Sequence, residues 1–81
     1  MIGLLRRLRL LPLKRLTSGE AKNVAIAECK RRGWTWAEPI HVKEGIMYWE
    51  FMTNADYLGG NVIIRIDAIT GAVQNAVFYN R

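Results

Sequence analysis

Residues 17–32 carry the hydrophobic pattern of a helix, with signals for its start and its end. Small apolar residues recur at helical spacing along one face: Ala21, Val24, Ala25 and Cys29. Thr17 and Glu20 have capping-box spacing, in which each side chain accepts a backbone N–H of the first turn. Gly33 supplies the left-handed residue that ends many helices. We therefore predict one helix whose small side chains lie close against a sheet.

The pattern changes to alternation after residue 39, which predicts strands. Four segments have strand composition: 40–43, 46–53, 62–67 and 72–79. In the second segment, Met47, Trp49 and Phe51 share one face, and Tyr48 and Glu50 take the other. The first set is the more apolar, so we expect it to face the helix.

Residues 67–71 read Asp-Ala-Ile-Thr-Gly, which is the chemistry of a hairpin turn. Asp67 accepts hydrogen bonds from backbone N–H groups ahead of it, and Gly71 takes the positive φ that closes a bulged hairpin. Short connections of this kind join antiparallel strands. We therefore predict an α+β fold, with one N-terminal helix packed on a three- to four-stranded antiparallel β-meander.

Residues 18–81 resemble the PepSY-type small domains in several short stretches. These are the Ala-rich helix, Gly33-Trp34, a strand centred on residues 48–50, the Gly59-Gly60-Asn61 connection and the closing segment 66–73. The closing segment is similar to the family's hydrophobic-Asp-x-x-Thr-Gly-x-hydrophobic hairpin. With Gly60-Asn61 before it, it also looks like a group of small bacterial immunity-type domains. The resemblance implies half of a cystatin-like fold and a role in restraining peptidases, outside the cytoplasm or in membrane proteins.

The positive charge of the chain is concentrated at its N-terminus. The 81 residues hold 12 bases and 7 acids, for a net charge of +5. Five of the bases lie in residues 1–16, which contain no acid: Arg6, Arg7, Arg9, Lys14 and Arg15. Residues 17–81 therefore hold the other seven bases (12 − 5) and all seven acids, and they are neutral. We divide the chain into a basic Leu/Arg arm, residues 1–16, and a single α+β domain, residues 17–81.

Three interpretations of the arm stay open. Its leucines pack on the domain or on a second copy of the chain, the arm lies on a membrane surface, or its bases contact nucleic-acid phosphates. The arm is too short and too charged to cross a bilayer. Arginines interrupt its apolar runs and no small-residue cleavage site follows, so it lacks the pattern of a secretory signal. We therefore expect a cytoplasmic protein.

No residue pattern predicts a reaction. His41 is the single histidine, with neither a nucleophile nor a second ligand residue in view, so we interpret it as an exposed residue of an edge strand. Cys29 lies on the helix face that we expect to be buried, where it acts as a small hydrophobic residue. One histidine and one cysteine leave little for a zinc site. We expect no enzyme activity, no cofactor and no metal.

The aromatic residues predict a recognition surface, because they make up 10% of the chain and exceed what one thin core needs. If Trp49 and Phe51 face the helix, an uncovered face of the sheet has the composition of an interface. Its residues are Tyr48, Glu50, Ile63 and Arg65. The loop between the second and third predicted strands adds two further candidates, Tyr57 and Asn61.

We therefore predict a non-enzymatic module that binds a protein partner. Its most concrete form is an inhibitor or immunity-type protein that blocks an enzyme by occupying its surface. Small inhibitory proteins from phages and mobile elements have this size and this lack of motifs, so an inhibitor of a host defence complex belongs to the same class. The alternative is a nucleic-acid-binding protein that uses the bases of the arm. Pairing of two copies into a homodimer is a further interpretation of the uncovered face.

Overall fold

One helix and four strands make up residues 14–80, the part of the chain that the computed structural model describes. The elements are α1 (Ser18–Arg32), β1 (His41–Glu44), β2 (Tyr48–Met52), β3 (Asn61–Asp67) and β4 (Val73–Tyr79). The strands form one antiparallel sheet in the order β1-β2-β3-β4, and α1 packs on one side of it. This arrangement confirms the predicted α+β fold, with four strands in the sheet.

The residues predicted to cap α1 provide hydrogen bonds for the backbone at both ends of the helix. The Thr17 hydroxyl accepts a hydrogen bond from the Glu20 N–H at 3.1 Å, and the Thr17 N–H donates to the Glu20 carboxylate at 2.9 Å. At the other end Gly33 has a φ of 77°, and the Trp34 N–H donates to the Cys29 carbonyl at 2.8 Å. A cap of this kind stabilises a helix by about 1 kcal/mol. The capping-box prediction is confirmed.

The core lies between α1 and the sheet. Its fully buried members are Ala21, Ala25 and Cys29 from α1, and Phe51, Val62, Ile64 and Ile66 from the sheet. Two tryptophans that follow α1 extend this core. The ring of Trp36 lies 6.1 Å from that of Phe51, and Trp34 stacks on Phe78 with 6.0 Å between ring centroids. Because the side chains of α1 are small, its backbone comes close enough for the large residues of the sheet to fill the space.

The strand β2 begins two residues later than the sequence predicts. Ile46 and Met47 form the turn between β1 and β2, which the Gly45 N–H closes by donating to the Tyr48 carbonyl at 2.8 Å. The prediction that Met47 shares the core face with Trp49 is therefore wrong, since a turn residue leaves the alternation of the strand. Met47 is 55% exposed.

The turn between β3 and β4 has the predicted chemistry. The Asp67 carboxylate accepts hydrogen bonds from the N–H groups of Ile69 and Thr70, each at 2.8 Å, and Gly71 has a φ of 78°. The backbone N–H groups of Thr70 and Ile69 lower the pKa of Asp67, because they stabilise its charged form. The predicted roles of Asp67 and Gly71 are confirmed.

The last residues of the predicted arm pack on the domain. The Arg15 guanidinium donates to the carbonyls of Gly45 and Ile46, at 2.6 Å each, and lies 5.3 Å from the centre of the Trp49 ring. The Trp49 indole N–H in turn donates to the Leu16 carbonyl at 2.9 Å. These contacts therefore join Arg15 and Leu16 to the sheet, across the predicted boundary after residue 16.

Candidate functional site

The side chains of the sheet divide between two faces. Phe51 and Ile64 are paired across β2 and β3, and both lie in the core beneath α1. Their neighbours in sequence point to the opposite side of the sheet, which we call the open face. Two rows of residues cross it in register: a polar row of Lys43, Glu50, Arg65 and Asn75, and an apolar row of Met52, Ile63 and Val77 that begins at His41.

Arg65 is held in place at the centre of the polar row. Its Nε and Nη2 atoms donate to one carboxylate oxygen of Glu50, at 3.2 and 2.8 Å. Its guanidinium carbon lies 3.9 Å from the centre of the Tyr48 ring, the distance of a close cation–π contact. The hydrogen bond to Glu50 raises the pKa of Arg65 further above its usual value. Three of the predicted site residues therefore form one cluster, in which Glu50 and Tyr48 fix the orientation of the Arg65 guanidinium.

The position of Tyr48 depends on Gly45, the residue directly after β1. A methyl group in place of the Gly45 hydrogen would lie 2.2 Å from the Tyr48 ring, far inside van der Waals contact. The ring therefore lies close to the backbone of Gly45 and also contacts the Arg65 guanidinium. In the sequence, a glycine next to a strand indicates that another group lies close to the backbone. Gly45, directly after β1, is such a glycine.

The apolar row is half-buried and lies beside the cluster. Met52, Ile63 and Val77 each retain part of their exposure, because the helix within residues 14–80 lies on the other side of the sheet. Ile63 is the fourth predicted site residue of the open face, and it lies two positions before Arg65 on β3. The predicted set of four residues on this face is therefore brought together on adjacent strands.

Asn61 has a different place from the one predicted for it. Its amide donates to the carbonyls of Thr53, Asn54 and Tyr57 at 2.9, 2.9 and 3.2 Å, and its oxygen accepts from the Gly59 N–H at 2.9 Å. The residue is only 9% exposed. Its side chain therefore organises the loop between β2 and β3 from within, and all of its hydrogen-bonding groups are already engaged.

Tyr57 is the one predicted loop residue that stays on the surface. It is 62% exposed, next to Leu58 at 82%. The loop follows the end of β2, whereas Tyr48 stands at the start of that strand, so the two tyrosines lie at opposite ends of the sheet. We therefore treat Tyr57 as a separate exposed position and not as part of the cluster around Arg65.

His41 and Cys29 occupy the places that the sequence predicts. His41 is exposed on β1, at the edge of the sheet, and Cys29 is buried in the core. Burial, together with the negative charge of Glu28 next to it, raises the pKa of the Cys29 thiol. Within residues 14–80 there is no pocket and no cluster of three or more metal-binding side chains.

The bases predicted to contact nucleic acid fall into two groups. Arg6, Arg7 and Arg9 lie outside the described residues. Lys14 is exposed, but the Arg15 guanidinium is engaged with the β1–β2 turn and lies 3.3 Å from the Glu44 carboxylate. In the described part of the chain no helix is both long and apolar enough to span a bilayer.

Comparison with known proteins identifies no relative. The chain matches no protein-family model, and neither a curated protein nor a solved structure is similar to it. The resemblance to the PepSY-type domains therefore stays a prediction. Function is inferred from the open face and its neighbouring residues.

Proposed function

We propose that this protein acts by binding another protein through its open face and carries out no reaction of its own. The observation that carries the proposal is the cluster of Arg65, Glu50 and Tyr48 beside the apolar row. Tyrosine and arginine are the residues that most often dominate the energy of protein interfaces, next to apolar surface that excludes water. An ordered arginine adds to this, because less side-chain entropy is lost when the partner binds.

The charge balance favours a protein as the partner. Residues 17–81 hold seven bases and seven acids, so the domain that carries the open face has no excess of positive charge to attract phosphates. On this face Arg65 is already paired with Glu50. A surface of this composition suits a partner that offers an apolar side chain to the row of Met52, Ile63 and Val77 and a hydrogen-bond acceptor to the guanidinium. Occupying an enzyme's surface in this way is how a small inhibitor or immunity-type protein would act.

The test is affinity capture with two variants that are matched in chemistry. Arg65→Ala and Arg31→Ala each remove an arginine that is paired with a glutamate, Arg65 on the open face and Arg31 on α1. We expect the full chain and Arg31→Ala to retain one stoichiometric protein from native lysate. Arg65→Ala should bind that protein at least about tenfold more weakly, as measured with the purified pair.

A third variant separates the nucleic-acid alternative. Arg6→Gln, Arg7→Gln and Arg9→Gln together remove three charges from the arm and leave the domain unchanged. Binding through the open face should survive these substitutions, nuclease treatment and high salt. Loss of binding on all three treatments, or equal binding by the Arg65→Ala and Arg31→Ala variants, would contradict the proposal.

A further inference from the structure

The two edges of the sheet differ in how they are protected. The edge strand β1 has four residues, three of them titratable, and Pro39 lies two residues before it. Charged side chains, proline and short length are common means of preventing an edge from pairing with another strand. The edge strand β4 has seven residues, Val73–Tyr79, and none of them is charged. Among residues 14–80 this edge therefore lacks the protection that β1 has.

The backbone of β4 offers a regular template over five residues. Arg65 pairs with Asn75 but Ile66 pairs with Val73, so Gln74 is the extra residue of a bulge. From Asn75 to Tyr79 the register with β3 is unbroken. The bulge therefore interrupts the start of β4 and leaves 75–79 as the segment available for pairing.

The outward-facing backbone groups of this segment follow from alternation. Both the N–H and the carbonyl of Val62 bond to Thr53 on the β2 side of β3. The next residue, Ile63, therefore directs its backbone groups to β4, where it pairs with Val77. Ala76 and Phe78, on either side of Val77, then direct their N–H and carbonyl groups away from the sheet.

We propose that a second copy of the chain pairs antiparallel with this segment, with Val77 opposite the partner's Val77 on the two-fold axis. Ala76 and Phe78 of one copy then exchange backbone hydrogen bonds with Phe78 and Ala76 of the other. The four-stranded sheets join into one of eight strands. This pairing centres the two-fold axis on the regular part of β4 and uses the outward-facing groups of both copies.

The apolar row supports a second copy as the occupant. It crosses β2 and β3 through Met52 and Ile63 and ends at Val77 on the open edge. With Val77 opposite its own copy, the row continues without a break into the second sheet. Each Phe78, which is 43% exposed, meets a small Ala76 across the new pair, and each Tyr79, 52% exposed, meets an Asn75.

Electrostatics also permits self-pairing. A two-fold axis brings identical groups near one another, so a charged strand would face its own charge, and β4 has none. Residues 17–81 hold seven bases and seven acids, so long-range repulsion between copies comes only from the bases of residues 1–16. An interface of about five residue pairs is smaller than that of a permanent dimer, so the association is reversible and depends on concentration.

Cross-linking tests the register. In a non-hydrogen-bonded antiparallel pair the Cα atoms are about 4.5 Å apart, within the range of about 4.4–6.8 Å that a disulfide spans. Val77→Cys in the full chain should therefore form a covalent dimer with oxidised glutathione as the oxidant. His41→Cys is the matched control, because it lies at the other end of the same row on the protected edge. Equal cross-linking of both variants would overturn the proposal.

Charge substitution tests the association itself. Val77→Lys places two ammonium groups together at the axis, and we expect the dimer dissociation constant from sedimentation to rise at least about tenfold, with no change for His41→Lys. A mixture of folded Val77→Lys and Val77→Glu proteins should associate again, which loss of folding would not allow. A wild-type chain that stays monomeric up to about 1 mM would overturn the proposal. These measurements need no other partner, so their outcome is independent of the proposed function.

Discussion

Ile63 and Ile64 are the same residue type at adjacent positions of β3, yet they belong to different surfaces. Ile64 is fully buried between the sheet and α1, while Ile63 is half-buried on the open face beside Met52 and Val77. Successive strand residues point to opposite sides of a sheet, so one position of sequence separates the two environments. One strand therefore stabilises the core through one face, while its other face carries residues that we propose to bind a partner.

The largest expected contrast is between alanine substitutions at these two positions. Ile64→Ala leaves a cavity under α1 and should destabilise the fold by about 2–5 kcal/mol. Ile63→Ala removes side-chain surface that already contacts water and should cost about 1 kcal/mol. Denaturant unfolding of both variants measures the two values. Equal losses of unfolding free energy would mean that Ile63 is as buried as Ile64, for instance because residues of the arm cover the open face.

Asn61→Ala should have the second largest effect, and it separates a structural role from a binding role. The substitution leaves the carbonyls of Thr53, Asn54 and Tyr57 without the donor that they share, at a cost of about 1–3 kcal/mol. The control is Asn75→Ala, which removes an exposed amide from the open face and should leave the melting temperature nearly unchanged. An Asn61→Ala variant of wild-type stability would show that the hydrogen bonds of Asn61 do not stabilise the fold.

Gly45→Ala should have a smaller effect that is confined to the open face. The new methyl group displaces the Tyr48 ring, and the contact between Tyr48 and Arg65 is lost, for about 1 kcal/mol. In a Tyr48→Ala background the same substitution has no ring to displace and should be nearly neutral. A double-mutant cycle by denaturant unfolding therefore yields a coupling of about 1 kcal/mol. Additive effects would show that Gly45 is needed for the turn itself.

The sequence predicts the two faces well because their signals are local. The capping residues Thr17 and Glu20 are three positions apart, and the Asp67 turn spans five. The faces of β2 and β3 follow from period-two alternation, so the grouping of Tyr48 with Glu50 needs no knowledge of the rest of the chain. Elements of this kind are specified by neighbours in sequence and are read from them directly.

The sequence does not predict two kinds of feature. One is a contact between residues that are distant in sequence, and the other is a turn in place of a predicted strand. Arg15 meets the β1–β2 turn across about thirty residues of chain, and no local pattern distinguishes it from the other bases of the arm. Asn61 is polar and follows two glycines, which is typical of an exposed turn, yet it is buried and donates to three backbone carbonyls. Met47 continues the alternation of β2 in sequence but lies in the turn. Each case depends on backbone geometry that composition does not encode.

The last expected contrast concerns the other Glu–Arg cluster, on α1, whose contribution to stability is lost in acid. Hydrogen bonds from Arg31 and then Arg32 lower the pKa of Glu28 from its usual 4.5 to about 2. A carboxyl whose pKa falls on folding stabilises the protein above its unfolded pKa. That contribution is therefore complete above pH 4.5 and is lost as the pH falls to about 2.

Glu28→Gln should flatten the dependence of the melting temperature on pH in this window, and Arg31→Gln with Arg32→Gln should flatten it in the same way. A slope that persists in both variants would place the acid sensitivity of the fold on carboxylates other than Glu28.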